Sequence, residues 1–488
     1  MSNADRLMLI DGALTEGEGG AAGDWIDSHS PATLEPLGRV PNATAGDVDR
    51  AVRACAAAQR DWAALSVWAR AAALRGLAAG IRARGSEILE REARDTGNTL
   101  AKLQADVQIA AGYLEYFAGL GSELKGETVP ATATGLHLTL REPYGVVARI
   151  VPFNHPFMFA AAHLAAPLMA GNGVVIKTPE TSPLSGSILG ELCRDYLPRG
   201  IVNIVHGRGA PAGDALVRHP LIRRIGFTGS VPTGLAIQRA AAANSVKHVT
   251  LELGGKNPFV VFPDADLDRV VETAVSGMNF AWAGQSCGST SRLLLHELVH
   301  DEVIDRVAAR MVALRVGDPL DPHSEMGPVN SARQHARVLE LIDSARREGA
   351  RLVTGGGRPP GAAFENGYWV QPTLFADVTP TMRLAREEVF GPVVAVQAID
   401  SVDEALKIAN DTAYGLQAAI FTRDLSLAFA AVRALDFGGV LVNEVPTWRA
   451  DQMPYGGVKE SGVGREGVAY AMTDFTEERV MALTGLTL

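Results

Sequence analysis

Hydrophobic positions along this chain keep two periods. Near the N-terminus the spacing is helical. Thr44-Ala45-Gly46-Asp47 resembles a capping box, and Val48, Val52, Cys55 and Trp62 follow at the intervals of one helix face. Cys55 therefore reads as a core cysteine. Helices rich in Ala, Leu and Arg continue to about Leu120, and Leu136 to Arg141 alternates with the period of a strand. From Val146 onward short apolar runs alternate with helical stretches. The runs are Val146–Val151, Val174–Lys177, Ile201–Val205, Ile222–Phe227 and Val249–Leu253. The helical stretches are Phe157–Met169, Ser182–Tyr196, one after Pro211 and one after Ser230. This alternation predicts a parallel, doubly wound α/β sheet, whose ligands bind at the carboxyl ends of the strands. A second alternation, from Pro258–Phe262 to Val440–Val442, predicts a second α/β unit, with Gly355–Gly361 as a turn inside it.

At 488 residues the chain is long enough for two large units or three smaller ones, and 47% hydrophobic residues supply the cores. The net charge of −10 argues against a nucleic-acid partner. Only three cysteines occur, Cys55, Cys193 and Cys287, too scattered for a disulfide framework or a zinc knuckle. A reducing, cytoplasmic setting is the natural expectation. Met1 to Arg6 lacks an apolar signal segment, and the most apolar stretch, Phe157 to Ala170, is broken by His163 and Pro167. A membrane span would need about 20 apolar residues. No membrane or metal is expected. His296-Glu297-Leu298-Val299-His300 fits the zinc-protease pattern, but a strand runs into it where that motif needs a helix. Gly462-Val463-Gly464-Arg465-Glu466-Gly467 fits a dinucleotide pattern, but no strand leads into it.

The candidate chemistry centres on Cys287 in Gly284-Gln285-Ser286-Cys287. Asn154 lies in Pro152-Phe153-Asn154-His155-Pro156, Glu252 in Leu251-Glu252-Leu253-Gly254-Gly255-Lys256, and Glu388 in Glu387-Glu388-Val389-Phe390-Gly391-Pro392. Together they supply a soft nucleophile, an amide donor and two carboxylates. A thiolate can add to a carbonyl and leave a thioester that water attacks. The adduct's oxyanion needs preorganised donors.

These motifs, with Ile176-Lys177-Thr178-Pro179-Glu180, Phe227-Thr228-Gly229-Ser230 and Pro454-Tyr455-Gly456-Gly457, stand in an order that resembles the NAD(P)-dependent aldehyde dehydrogenase superfamily over nearly the whole chain. The resemblance implies a Rossmann-type NAD-binding domain (1–124 and 142–254), an α/β catalytic domain (255–445) and a return segment (446–469). It also implies a small β oligomerisation arm (125–141 and 470–488), hence a homodimer or homotetramer. It makes Cys287 the nucleophile, Asn154 an oxyanion donor, Glu252 the base for the deacylating water and Glu477 a second, proton-relaying glutamate. It gives cofactor binding to Phe153, Lys177, Glu180, Gly229, Ser230, Gly254, Glu388 and Phe390. A carboxylate at Glu180 would repel a 2′-phosphate, which favours NAD over NADP. His155, Ser286 and Trp448 depart from the common pattern or are particular to this chain, and stand as substrate residues. Imidazole and indole faces suit an aldehyde with a planar or polar substituent. The implied reaction is oxidation of a small-molecule aldehyde to an acid. A CoA-acylating semialdehyde dehydrogenase is an alternative, though such members commonly lack the glutamate matched by Glu252. A cysteine esterase and a non-enzymic binding protein are further rivals.

Overall fold

Thr44 caps the helix Ala45–Ala64 as the sequence predicts: its hydroxyl accepts from Asp47 N, and the Asp47 carboxylate accepts from Thr44 N. Val48, Val52, Cys55 and Trp62 are buried on one face of that helix. The Trp62 indole N–H donates to Leu168 O at 2.8 Å, and the Cys55 thiol reaches Ile201 O at 3.4 Å. The face is thus anchored on the sheet side of the chain. The structure, a computed structural model, describes residues 5–450 and 452–485. The extreme N-terminus and residues 486–488 of the expected arm lie outside the described residues.

The predicted apolar runs form the centre of an eight-stranded sheet. Strand Val146–Ile150 lies in the middle, flanked by Gly173–Lys177 then Val202–Val205 on one side and by Ile222–Thr228 then His248–Glu252 on the other. All four pairings are parallel. Val174, Val175 and Ile176 are fully buried, as befits a strand covered on both faces, and burying each such side chain contributes roughly 1.5–3 kcal/mol. Strand order reverses beside Val146–Ile150, so the loops after the strands splay apart there into a crevice. The antiparallel strand Met8–Ile10 joins one edge and the short strand Gly462–Val463 the other.

A second, seven-stranded sheet runs from Pro258–Val261 to Gly439–Val442, parallel except for Arg351–Thr354. Gly135–Pro143 and Thr476–Thr484 form a separate antiparallel ribbon, in register from Thr476 opposite Pro143 to Thr484 opposite Gly135. The stretch Phe157–Met169 is not one helix but two, Pro156–Ala162 and Ala165–Met169. Pro167 has no N–H to give the carbonyl of His163, so the turn breaks there. No helix among the described residues is long and apolar enough to cross a membrane.

Candidate active site

A cleft of about 680 Å³ opens at the carboxyl ends of the first sheet's strands and faces the second sheet. The turn after Val146–Ile150 brings Phe153 and Asn154 into it, and the turn after Gly173–Lys177 brings Lys177 and Glu180. The turn after Ile222–Thr228 contributes Gly229 and Ser230, and Ser230 is the N-cap of helix Val231–Ala242. Glu252 and Gly254 follow the last parallel strand. Cys287, Glu388 and Phe390 close the cleft from the side of the second sheet.

Much of the cleft suits a dinucleotide. The free N–H groups of a helix N-terminus attract a pyrophosphate. Lys177 is buried, donates to Thr178 O at 3.0 Å, and has its ammonium pushed down to about 8 by burial, against the opposing charge of Glu180. Glu180 is exposed at the rim. Phe390 meets Phe153 edge to face at 5.7 Å, giving an apolar wall. Glu388 accepts from Gly255 N at 2.9 Å, and burial pushes its carboxyl up to about 7. Gly254 is required for this approach, since a Cβ there would lie 2.2 Å from Glu388 Oε2. These residues fit a nicotinamide dinucleotide: a carboxylate for each ribose, a helix end for the phosphates and aromatic rings beside the base.

The Cys287 loop is set from both sides. Gly284 has φ +70°, and a Cβ on it would sit 2.3 Å from Gly391 O, so only glycine fits. Asn257 donates to Cys287 O at 2.7 Å and to Ser289 O at 3.0 Å. The Asn154 side-chain amide donates to Gln285 O at 2.9 Å, while Asn98 holds the Asn154 carbonyl at 2.7 Å. One amide hydrogen of Asn154 is thereby fixed, which orients the other. Cys287 itself is half-buried. Burial, then the charges of Glu388, Glu252 and Glu466, push its thiol up to about 11, against a contact from Tyr455 Oη at 3.3 Å. Cys55 and Cys193 are buried, and burial holds both thiols far above the ordinary value.

Glu252 ends the strand His248–Glu252 opposite Gly462. It is buried, and neither carboxylate oxygen bonds a protein group among the described residues. Burial, then the nearby charge of Glu466, raises its pKa well above the carboxylate range, against Arg465, Arg149 and Arg449. Glu466 goes the other way. Burial opposes its charge, but His163 and the Arg149 guanidinium hold its carboxyl far below the usual range. Arg149 Nη2 and His163 Nε2 both lie 3.2 Å from Glu466 Oε1. The Arg149 guanidinium also donates to His163 Nδ1, so the proton of a neutral imidazole sits on Nε2 and points at Glu466. Burial disfavours the charged ring in the same sense.

Three sequence expectations change here. Glu477 is not beside Glu252. It lies on the arm strand opposite Glu142 and makes a two-pronged pair with Arg223 at 2.8 and 2.7 Å. The carboxylate whose charge acts on Glu252 is the half-buried Glu466, in the glycine-rich segment that fits a dinucleotide pattern. His155 does not line the cleft. Asp106 holds its Nδ1 at 2.7 Å, and its ring packs on Trp282 at 4.5 Å and Phe159 at 5.7 Å, so the imidazole is used up by the interior. Trp448 is 51% exposed and does not line the cleft either. Thr447 abuts Gly288, and the Arg449 guanidinium lies over the rings of Tyr113 (5.7 Å) and Tyr455 (5.0 Å). Ser286 stands beside Cys287, with its hydroxyl accepting from Gly288 N at 3.3 Å. In the zinc-like motif, His296 caps helix Glu297–Val312 by accepting from Leu298 N. Among the described residues no cluster of three or more potential metal ligands occurs.

The aldehyde dehydrogenase family profile matches residues 19–481, and the chain belongs to that family. It is 46% identical over 447 residues to the aldehyde dehydrogenase tropH of Talaromyces stipitatus, covering 90% of this chain and 86% of that protein. A putative aldehyde dehydrogenase from Burkholderia cenocepacia superposes with a TM-score of 0.95 at 40% identity, over 98% of this chain and 97% of the other. PnpE, solved in complex with nicotinamide adenine dinucleotide, gives 0.95 at 38% identity, over 99% and 98%.

Proposed function

We propose that the chain oxidises an aldehyde to a carboxylic acid with NAD, through a thioester on Cys287. Membership of the aldehyde dehydrogenase family makes it an NAD(P)-dependent oxidoreductase. The single observation that carries the mechanism is the convergence of Asn154 and Glu252, from the first sheet, and Cys287, from the side of the second, on one cleft. Cys287 Sγ attacks the carbonyl carbon, and the developing oxyanion takes the free Asn154 amide hydrogen and the Cys287 N–H. Nicotinamide, when bound, supplies the hydride acceptor. Glu252, as its carboxylate, takes a proton from the water that attacks the thioester, and the Sγ–C bond breaks as the acid leaves. Glu466 replaces Glu477 as the carboxylate that passes that proton on. Glu180 at the rim supports NAD over NADP. The lengths 1–124 with 142–254, and 255–445, serve as cofactor and catalytic domains. The ribbon of 125–141 and the C-terminal strand serves as an assembly arm in a homo-oligomer.

Stopped-flow NADH formation tests this reading. Glu252→Gln should keep the first-turnover burst and slow steady-state turnover about 10²–10⁴-fold. Run with each nucleotide, the wild-type enzyme should give the higher kcat/KM with NAD. Unchanged turnover in the variant, or a preference for NADP, would refute the corresponding assignment.

The substrate's substituent is planar or polar, a preference that moves from His155 and Trp448 to Arg449 and Tyr113. Both line a second cavity that shares Phe159 with the cofactor cleft. Arg149, Arg224 and Arg465 line it too; Glu466 and Asp474 pair with Arg149 and Arg224, but four arginines against two carboxylates leave a net positive lining that favours an electron-rich or anionic group. Carboxylate-bearing aldehydes should therefore outperform uncharged ones of equal length in kcat/KM. The reverse ranking across such a panel would dispose of the idea.

A further inference from the structure

We propose that Tyr455 is a catalytic residue whose phenol hydroxyl donates a hydrogen bond to the Cys287 thiolate. The inference rests on the reading of Cys287 as the nucleophile. Tyr455 Oη lies 3.3 Å from Cys287 Sγ, within reach for a sulfur acceptor. The position is fixed by the backbone. Tyr455 N donates to Glu466 O at 2.7 Å and Glu466 N returns to Tyr455 O at 2.6 Å, an isolated antiparallel bridge. The next residue presses on the base: a Cβ on Gly456 would lie 2.8 Å from Glu252 Oε1. One short segment thus sets a hydroxyl on the nucleophile, abuts the water-activating carboxylate and pins the backbone of Glu466.

The surroundings explain why a donor is needed. Burial opposes an anion on this sulfur, and the charges of Glu388, Glu252 and Glu466 oppose it further. A hydrogen bond to the charged form is the remaining local means of favouring it, and bonds to charged groups are about twice as strong as neutral ones. The phenol is suited to give rather than accept. Burial and the neighbouring thiol and carboxylate hold it protonated well above its ordinary value, so it keeps its hydrogen through neutral pH. The Arg449 guanidinium over the ring, at 5.0 Å, polarises the O–H further. No proton is transferred by Tyr455. As the Sγ–C bond forms, negative charge passes from sulfur to the carbonyl oxygen and the Tyr455 bond weakens. When that bond breaks on deacylation, charge returns to sulfur and the hydrogen bond is restored. The hydroxyl therefore favours the resting thiolate and its departure.

Tyr455→Phe removes Oη and keeps the ring under Arg449. The test is alkylation of Cys287 by iodoacetamide across pH in NAD-free enzyme, with the labelled peptide identified by mass spectrometry. NAD binding is followed by fluorescence on the same samples. The half-maximal pH should rise by about one unit in Y455F, so that alkylation at a fixed pH below it is about tenfold slower, with NAD binding unchanged. An unshifted profile overturns the proposal, whether the rate is unaltered or falls by one factor at every pH, as for a merely structural tyrosine. Wild-type label on Cys55 or Cys193 instead of Cys287 would defeat the nucleophile reading itself, and this proposal with it.

Discussion

At the scale of single residues, the site is a contest over where negative charge sits. Glu466 stays ionised because His163 and Arg149 face it, and burial together with that charge keeps Glu252 protonated above the ordinary carboxylate range. Glu252 becomes a base only as pH rises through its raised pKa, so deacylation should increase with pH in that window. Glu466→Gln removes the charge that raises Glu252, so the rising limb of kcat should move to lower pH. Its plateau should fall roughly tenfold, less than for loss of the base itself, because only the onward proton path is cut. Glu477→Gln should leave kcat within about twofold, since Glu477, on the arm strand, pairs with Arg223 of the first sheet and not with Glu252. Equal effects of the two substitutions on the kcat profile would contradict this division. Cys287, Asn154 and Glu252 were legible in the sequence because each sits in a short motif with its own turn or strand end. Glu466 was not. It reaches Glu252 only because Gly462 pairs with Glu252 across the sheet edge and the chain then folds back through the Tyr455–Glu466 bridge. Register between segments so far apart leaves no local trace. His155 failed for the opposite reason: its place beside Asn154 was readable, but the carboxylate of Asp106 that claims it was not.

At the scale of elements, periodicity did well where one pattern allowed one structure. The Thr44 cap is such a case, because a hydroxyl and a carboxylate three residues apart satisfy each other's backbone donors. Asp47 does more than the sequence implied, accepting also from Glu18 N at 2.8 Å and Gly19 N at 3.3 Å, and so it ties the Gly17–Ala21 helix to the long one. Burial pushes its carboxyl up, but the backbone donors of Thr44, Glu18 and Gly19 outweigh it and the net shift is downward. A carboxyl depressed in the folded state contributes stability above its unfolded pKa and loses it as pH falls through the folded value. Asp47→Ala should therefore cost about 1–2 kcal/mol at neutral pH, read from urea unfolding. The gap from wild type should narrow below the ordinary aspartate pKa. A gap that is constant with pH would mean that packing, not the carboxylate's bonds, sets the cost. The stretch Phe157–Met169 shows the limit of such reading. Its apolar spacing fits one helix or two equally, and the break depends on Pro167 and on His163 turning toward Arg149 and Glu466.

At the scale of the whole molecule, the alternation of strands and helices carried the two sheets into view, because parallel strands need long crossovers and those crossovers are the helices. What alternation could not convey is how the chain returns after Val442 to lay Gly462–Val463 on the first sheet, or what covers the ribbon formed by Gly135–Pro143 and Thr476–Thr484. A two-stranded ribbon is marginal by itself in water and needs a further strand or a packed face. This one leaves Val480 75%, Leu136 43%, Leu140 40% and Met481 40% exposed, more apolar surface than a solvated ribbon keeps. A second copy of the chain is the partner that the proposed homo-oligomer supplies. Met481→Asp, opposite Leu138 and on the face that carries Leu136 and Leu140, places a charge in the middle of that face without touching the cleft. Light scattering should then give a mass falling toward one chain on dilution, where wild type holds a multiple of it. The melting temperature of the variant should also depend more steeply on concentration, since assembly stabilises by mass action. Wild-type protein that is one chain at micromolar concentration, or a variant that assembles and melts as wild type does, would show that the ribbon is not the arm.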